Sequence, residues 1–165
     1  MTALYLLEPD RPGAAWAPFA GVRPVSELRA GLWRIRERWE AACDAEATAI
    51  LGSHVDGFRE GDEPPVRATG PIDGPAVIGL SAFAPTGERI AGFGELDARS
   101  AVRRLRHQGT TVGWAVPAGR RWTSPEDAGD AVEVDGFGRR RSPNRHHPPQ
   151  SKKNSGNPHA IITAD

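Results

Sequence analysis

The chain predicts an α/β domain over residues 1–137 followed by a basic tail at 138–165 that is expected to be disordered. Two observations predict the domain. Short apolar runs of strand length recur along it, and segments with helical apolar spacing lie between them. A third observation sets its limit. After Gly138 there is no periodicity, and almost every residue up to His159 is Arg, Lys, His, Pro, Ser or Asn.

The first run, Ala3–Leu7, stops at Glu8-Pro9-Asp10, and its length favours a buried strand. Residues 11–22 hold Pro12, Gly13, Pro18 and Gly21 and predict a loop that Trp16 and Phe19 pin to the body. Next, Leu28, Leu32, Ile35, Trp39 and Ala42 form one apolar stripe at spacings of four, three, four and three. Gly31 sits inside that stripe and disfavours helix, so the regular helix is expected from Leu32. Ala47–Leu51 predicts a second strand, residues 56–75 a charged, Gly- and Pro-rich surface loop, and Ala76–Leu80 a third strand. Ser100–His107 is a short helix candidate, with Ala101, Val102 and Leu105 on one side, and the β-branched run Thr110–Val116 is a strand.

The 165 residues suffice for one domain of ordinary size, and the 19 glycines and 15 prolines call for long loops. Net charge is zero but unevenly placed. Residues 139–165 carry +5, leaving −5 on the rest. The tail lacks interleaved aromatics for stacking on bases, so it reads as a solvated extension or a segment foreign to the domain, and no nucleic acid is expected as partner. No apolar run approaches the ~20 residues of a membrane span, and the N-terminus does not read as a signal peptide. The single cysteine, Cys43, excludes an internal disulfide. These features predict a cytoplasmic protein without a membrane partner; they leave the oligomeric state open.

No metal cluster is visible. His146, His147 and His159 fall in the tail, His54 and His107 are isolated, and Cys43 lies at the apolar edge of a helix as a core cysteine would. The segment Arg23-Pro-Val-Ser-Glu-Leu-Arg-Ala-Gly31 differs from packing sequence. Arg23 and Arg29 bracket a proline-stiffened turn ahead of a helix, where free N–H groups already favour anions. Either the two guanidinium groups form a phosphate site, or they pair with surface carboxylates such as Glu27.

Ala17-Pro18-Phe19, Arg23–Gly31 and the helix ending Arg36-Glu37-Arg38-Trp39-Glu40 together resemble the N-terminal part of bacterial sugar nucleotidyltransferases related to the N-acetylglucosamine-1-phosphate uridylyltransferases. The likeness is specific over residues 17–40 and rests on element order from 47 to about 137. It implies a Rossmann-like, three-layer nucleotidyltransferase domain that joins a sugar 1-phosphate to a nucleoside triphosphate, releasing pyrophosphate with magnesium as cofactor. Arg23 and Arg29 stand on matching positions and become the catalytic, phosphate-contacting candidates. Glu8, Arg11 and Gly13, in the place of the family's glycine-rich loop, and Glu27, expected to orient one of the arginines, become the nucleotide-binding candidates.

Three positions depart from that pattern. Glu8-Pro-Asp-Arg-Pro-Gly13 replaces Gly-x-Gly-Thr-Arg, Val25 stands in place of a lysine, and Ser81–Pro85 replaces the segment with the metal-binding aspartate. The β-helix that usually follows is lacking, so the domain is expected to be incomplete. It either turns over or survives as a non-catalytic module that binds a nucleotide sugar or a protein partner. Because the tail has nothing to bury, deleting residues 139–165 is expected to leave the melting temperature within error; a clear drop would show that the tail packs.

Overall fold

A computed structural model describes residues 2–10, 23–55, 57–86, 101–126 and 131–133. The predicted loop with Trp16 and Phe19, and the basic tail, lie outside the described residues.

The main strands are β1 (Ala3–Leu7), β4 (Ala47–Leu51), β5 (Val66–Arg67), β7 (Ala76–Leu80), β8 (Arg103–His107), β9 (Thr110–Val116) and β11 (Ala131–Glu133). They form a seven-stranded sheet in the order β11-β8-β9-β7-β1-β4-β5. Counted in chain order from the β5 edge, this is 3-2-1-4-6-5-7. β1 lies parallel to both β4 and β7, and β9 alone runs against its neighbours β7 and β8. The sheet thus opens as the doubly wound nucleotide-binding sheets do, with the strand order reversing between β1 and β7. The α/β expectation holds.

The central runs are apolar on both faces because both faces are covered. On one face Leu4, Leu6, Ile50 and Val77 pack under the helix α1 (Ile35–Cys43) through Ile35, Trp39 and Ala42. On the other, Leu7, Leu51, Ile78, Trp114 and Val116 pack under a small antiparallel ribbon. Its strands are β6 (Ile72–Asp73) and β10 (Arg121–Trp122), pinned by the fully buried Trp122 and by the exposed ion pair of Arg121 with Asp73.

Two helix expectations are corrected. The stripe from Leu28 is not continuous helix. Arg29–Ala30 (β2) and Trp33–Arg34 (β3) form a hairpin, and α1 begins only at Ile35. Gly31 makes the turn at φ +76°, a conformation that glycine adopts freely, and leaves Leu32 at the tip, 86% exposed. Of the helix candidate Ser100–His107, the described residues 101–107 are no helix. Gln108 and Gly109 both take positive φ, and the resulting two-residue turn folds Arg103–His107 back against β9. Pairing with a neighbouring strand overrides the local apolar spacing. The expected surface loop at 56–75 also contains structure, since Val66 and Ile72 are buried in β5 and β6.

α1 is locked to the sheet by Trp39. Its indole is fully buried, and its N–H is shared between the carbonyls of Leu80 (3.2 Å) and Phe83 (3.0 Å). The ring lies on Gly79, where a Cβ would come within 2.6 Å of it. Cys43 sits half-buried against the same core, and burial pushes its thiol up to about 12, which keeps it protonated and unreactive.

Trp39→Ala should therefore cost roughly 3–5 kcal/mol in denaturant unfolding, and Gly79→Ala roughly 1–3 kcal/mol by overpacking. The double variant should be less destabilised than the sum, because the cavity left by one accommodates the methyl of the other. Strict additivity would show that the two residues do not press on each other.

Candidate cleft at the sheet switch point

The carboxyl ends of β1, β4 and β7 are tied together by backbone. Glu8 N–H donates to the Leu51 carbonyl (2.9 Å), and both the N–H and the hydroxyl of Ser81 donate to the Leu7 carbonyl (3.0 and 3.1 Å). Against this edge opens a cleft of about 640 Å³. β1 and its continuation contribute Leu7, Glu8 and Asp10, β7 contributes Leu80, and β8 and β9 contribute Arg104, Thr111 and Trp114. Thr69 and Glu126 complete the polar lining. The cleft stands at the carboxyl ends of β1 and β7, where the strand order reverses, which is where open α/β sheets place ligands.

Glu8 does not offer its carboxylate to this cleft. It is 3% exposed and accepts from the N–H of Val25 (2.7 Å), the N–H of Ser26 (3.1 Å) and the Ser26 hydroxyl (2.8 Å). These donors come from the 3₁₀ turn Val25–Glu27, so the acid at the end of β1 anchors the segment that leads to α1.

Glu27 has the same kind of role and corrects an expectation. It is 1% exposed and pairs with Arg36 (2.6 Å) and Arg34 (3.0 Å), not with Arg23 or Arg29. Arg36 reaches on to Glu40 (3.2 Å), and Glu40 in turn accepts from Ala47 N–H at the start of β4 (3.0 Å). Burial pulls the Arg36 guanidinium down, but Glu27 and Glu40 outweigh it, and the group ends above its ordinary value. Asp62 closes the cluster from the surface, and its bond with Arg34 holds its carboxyl below the usual range.

The two sequence-predicted catalytic arginines are not brought together on one ligand. Arg23 is ion-paired with Glu60 and lies over Phe58 (6.0 Å to the ring centroid), while exposed Arg29 donates to the Leu32 carbonyl (3.0 Å). Neither is among the described residues that line the cleft. The N-terminus of α1 is already served by Glu37, which accepts from Arg34 N–H (2.7 Å). Arg11 and Gly13 lie outside the described residues. Arg38, by contrast, is a staple: it donates to the Ala30 carbonyl (3.0 and 2.6 Å) and to the Pro85 carbonyl (3.0 Å).

Sequence reasoning missed Arg104, Thr111 and Trp114. Gln108-Gly109 ahead of a β-branched run was the available signal for the hairpin, but the register shift between Leu105 and Arg106, which no motif announces, is what sets Arg104 opposite Trp114. Among the described residues no group of three or more His, Cys, Asp or Glu could hold a metal ion, and no helix is long and apolar enough to cross a membrane.

Residues 5–79 match the sequence profile of a family described as sugar nucleotidyl transferase. No curated protein and no solved structure matches the chain. The N-terminal part is thus similar to sugar nucleotidyltransferases, and the matched segment ends within β7, spanning both strands at the reversal.

The bracing role of the Arg- and Glu-rich segment is measurable. Glu27→Ala strands a buried guanidinium and should cost roughly 3–5 kcal/mol. Arg29→Ala removes one exposed hydrogen bond and should leave the urea midpoint nearly unchanged. Comparable losses in the two variants would contradict this division of roles.

Proposed function

We propose that the chain is a sugar nucleotidyltransferase domain whose substrates, a nucleoside triphosphate and a sugar 1-phosphate, meet in the cleft. The observation that carries this reading is the position of that cleft. It opens at the carboxyl ends of β1 and β7, at the reversal of strand order, within reach of the segment that matches the transferase family. In the reaction an oxygen of the sugar phosphate attacks the α-phosphorus of the triphosphate. The bond from that phosphorus to the bridging oxygen breaks, and its electron pair leaves with pyrophosphate. Such a transfer asks the protein for positioning and charge neutralisation.

The apolar floor of Leu7 and Leu80 excludes water from one side of the cleft, and the hydroxyls of Thr69 and Thr111 supply donors for phosphate or sugar oxygens. The family likeness brings magnesium with it, and the donor set of the cleft fits a hard cation. Asp10 and Glu126 are two carboxylates on its lining, and magnesium typically takes one or two carboxylates with substrate phosphates and water. Asp10 and Glu126 would hold the ion, which supplies neutralisation of phosphate charge when bound. Glu8 is spent on Val25 and Ser26 and takes no part. Arg23 and Arg29 retain their candidacy for phosphate contact only if they release Glu60 and the Leu32 carbonyl. The lone cysteine suits a reducing compartment, and we place the protein in the cytoplasm.

The test is pyrophosphate release across nucleoside triphosphates and sugar 1-phosphates. UTP with N-acetylglucosamine 1-phosphate comes first, from the narrower likeness of residues 17–40. Release is expected to require both substrates and to be lost with chelator. Binding of a nucleotide sugar without release from any pair would favour a non-catalytic module.

A further inference from the structure

We propose that Arg104 and Trp114 form the phosphate-recognising wall of the cleft, the guanidinium taking a phosphate group and the indole N–H a second ligand oxygen. The identity of the ligand rests on the transferase reading above; the site itself rests on three observations independent of it.

First, Arg104 on β8 and Trp114 on β9 are directly opposite partners in the antiparallel ladder, so their side chains rise from the same face of the sheet as neighbours. Second, both line the cleft. Third, both carry a buried donor without an acceptor: Trp114 is 3% exposed with its indole N–H unanswered, and the Nε of Arg104 is equally buried and unanswered. Buried donors in folded proteins nearly always find acceptors, and one left over calls for an explanation. Two on adjacent strands, on side chains that line one cleft, are answered when those side chains turn to a ligand that brings the oxygens. Trp122 has a similar N–H but is not on the cleft lining, where a ligand could answer it.

The chemistry of the wall selects the ligand class. Arg34 and Arg36 are spent on Glu27, Arg38 on two backbone carbonyls and Arg23 on Glu60. Arg104 is the arginine that the cleft holds in reserve, and it stands among carboxylates, Asp10 and Glu126, that repel a bare anion. A phosphate that arrives with its own cation satisfies both halves. The planar guanidinium suits phosphate geometry, and a lysine would supply charge without the fork. The phosphate can belong to the nucleotide or to the sugar phosphate, and the arms of the experiment separate them.

The full chain is titrated calorimetrically, with magnesium, against inorganic phosphate, UTP and glucose 1-phosphate in separate arms. Wild type is compared with Arg104→Gln, Arg104→Lys and Trp114→Phe. Arg104→Gln should weaken whichever ligand uses the wall on the order of 10- to 100-fold, the loss of a charge-assisted hydrogen bond. Arg104→Lys should fall between it and wild type. Trp114→Phe keeps an aromatic ring but loses the donor and part of the indole, so binding should weaken about three- to tenfold, while the cavity lowers the unliganded melting midpoint modestly. A response in the UTP arm alone assigns the wall to the nucleotide, and one in the glucose 1-phosphate arm alone to the sugar phosphate. Should Trp114→Phe not fold, Arg104→Gln carries the decision. Undiminished binding in Arg104→Gln overturns the proposal even if the wild type releases pyrophosphate. Weakened binding in a protein that never releases pyrophosphate upholds the site and sinks the transferase reading. A wild type that binds none of the three probes overturns both.

Discussion

A buried carboxylate is tolerated only when its oxygens are answered, and this constraint organises the half of the molecule around α1. Glu8, at the end of the central strand, is answered by two N–H groups and a hydroxyl from the turn at Val25–Ser26. Glu27, one residue further on, is answered by Arg34 and Arg36 at the start of the helix. The two acids thus tie the edge of the sheet to a short turn and that turn to α1. Replacing either acid with an apolar residue would free the connection between strand and helix. The helix then aims Trp39 at Gly79 and the carbonyls beyond it, which sets the end of β7 and so one margin of the cleft.

The charged segment Glu27–Glu40, inside the stretch that matches the sugar nucleotidyl transferase family, is a bracing device. Arg36 and Glu40 carry the network from Glu27 to β4, Arg38 holds the hairpin to the strand end of β7, and Trp39 joins helix to sheet. Positions of this kind place a site without touching a ligand. Among the described residues lining the cleft, the buried side-chain donors without an acceptor are on Arg104 of β8 and Trp114 of β9.

The layout has a functional logic. The strand order reverses between β1 and β7, and the cleft at their carboxyl ends is also lined from the paired strands β8 and β9. Its lining combines apolar Leu7 and Leu80 with the hydroxyls of Thr69 and Thr111, the carboxylates of Asp10 and Glu126 and the guanidinium of Arg104.

What the sequence by itself determined is what short-range physics determines. The strands Ala3–Leu7, Ala47–Leu51, Ala76–Leu80 and Thr110–Val116 were legible because a buried parallel or central strand must be apolar on both faces. The helical core of Ile35, Trp39 and Ala42 was legible from its spacing. Only the tertiary structure decided what depends on a distant partner. The Leu28–Arg34 stretch has helical spacing, yet a glycine turn folds it into a hairpin, and Arg103–His107 becomes a strand because β9 offers it hydrogen bonds. The roles of the charged residues were equally hidden. Glu27 could have oriented Arg29, 2 positions away, but burial demanded charge close at hand, and the fold supplied Arg34 and Arg36. Gln108-Gly109 signalled the hairpin that carries Arg104 but not its role, which lies in a cross-strand neighbour and in the acceptor its Nε lacks.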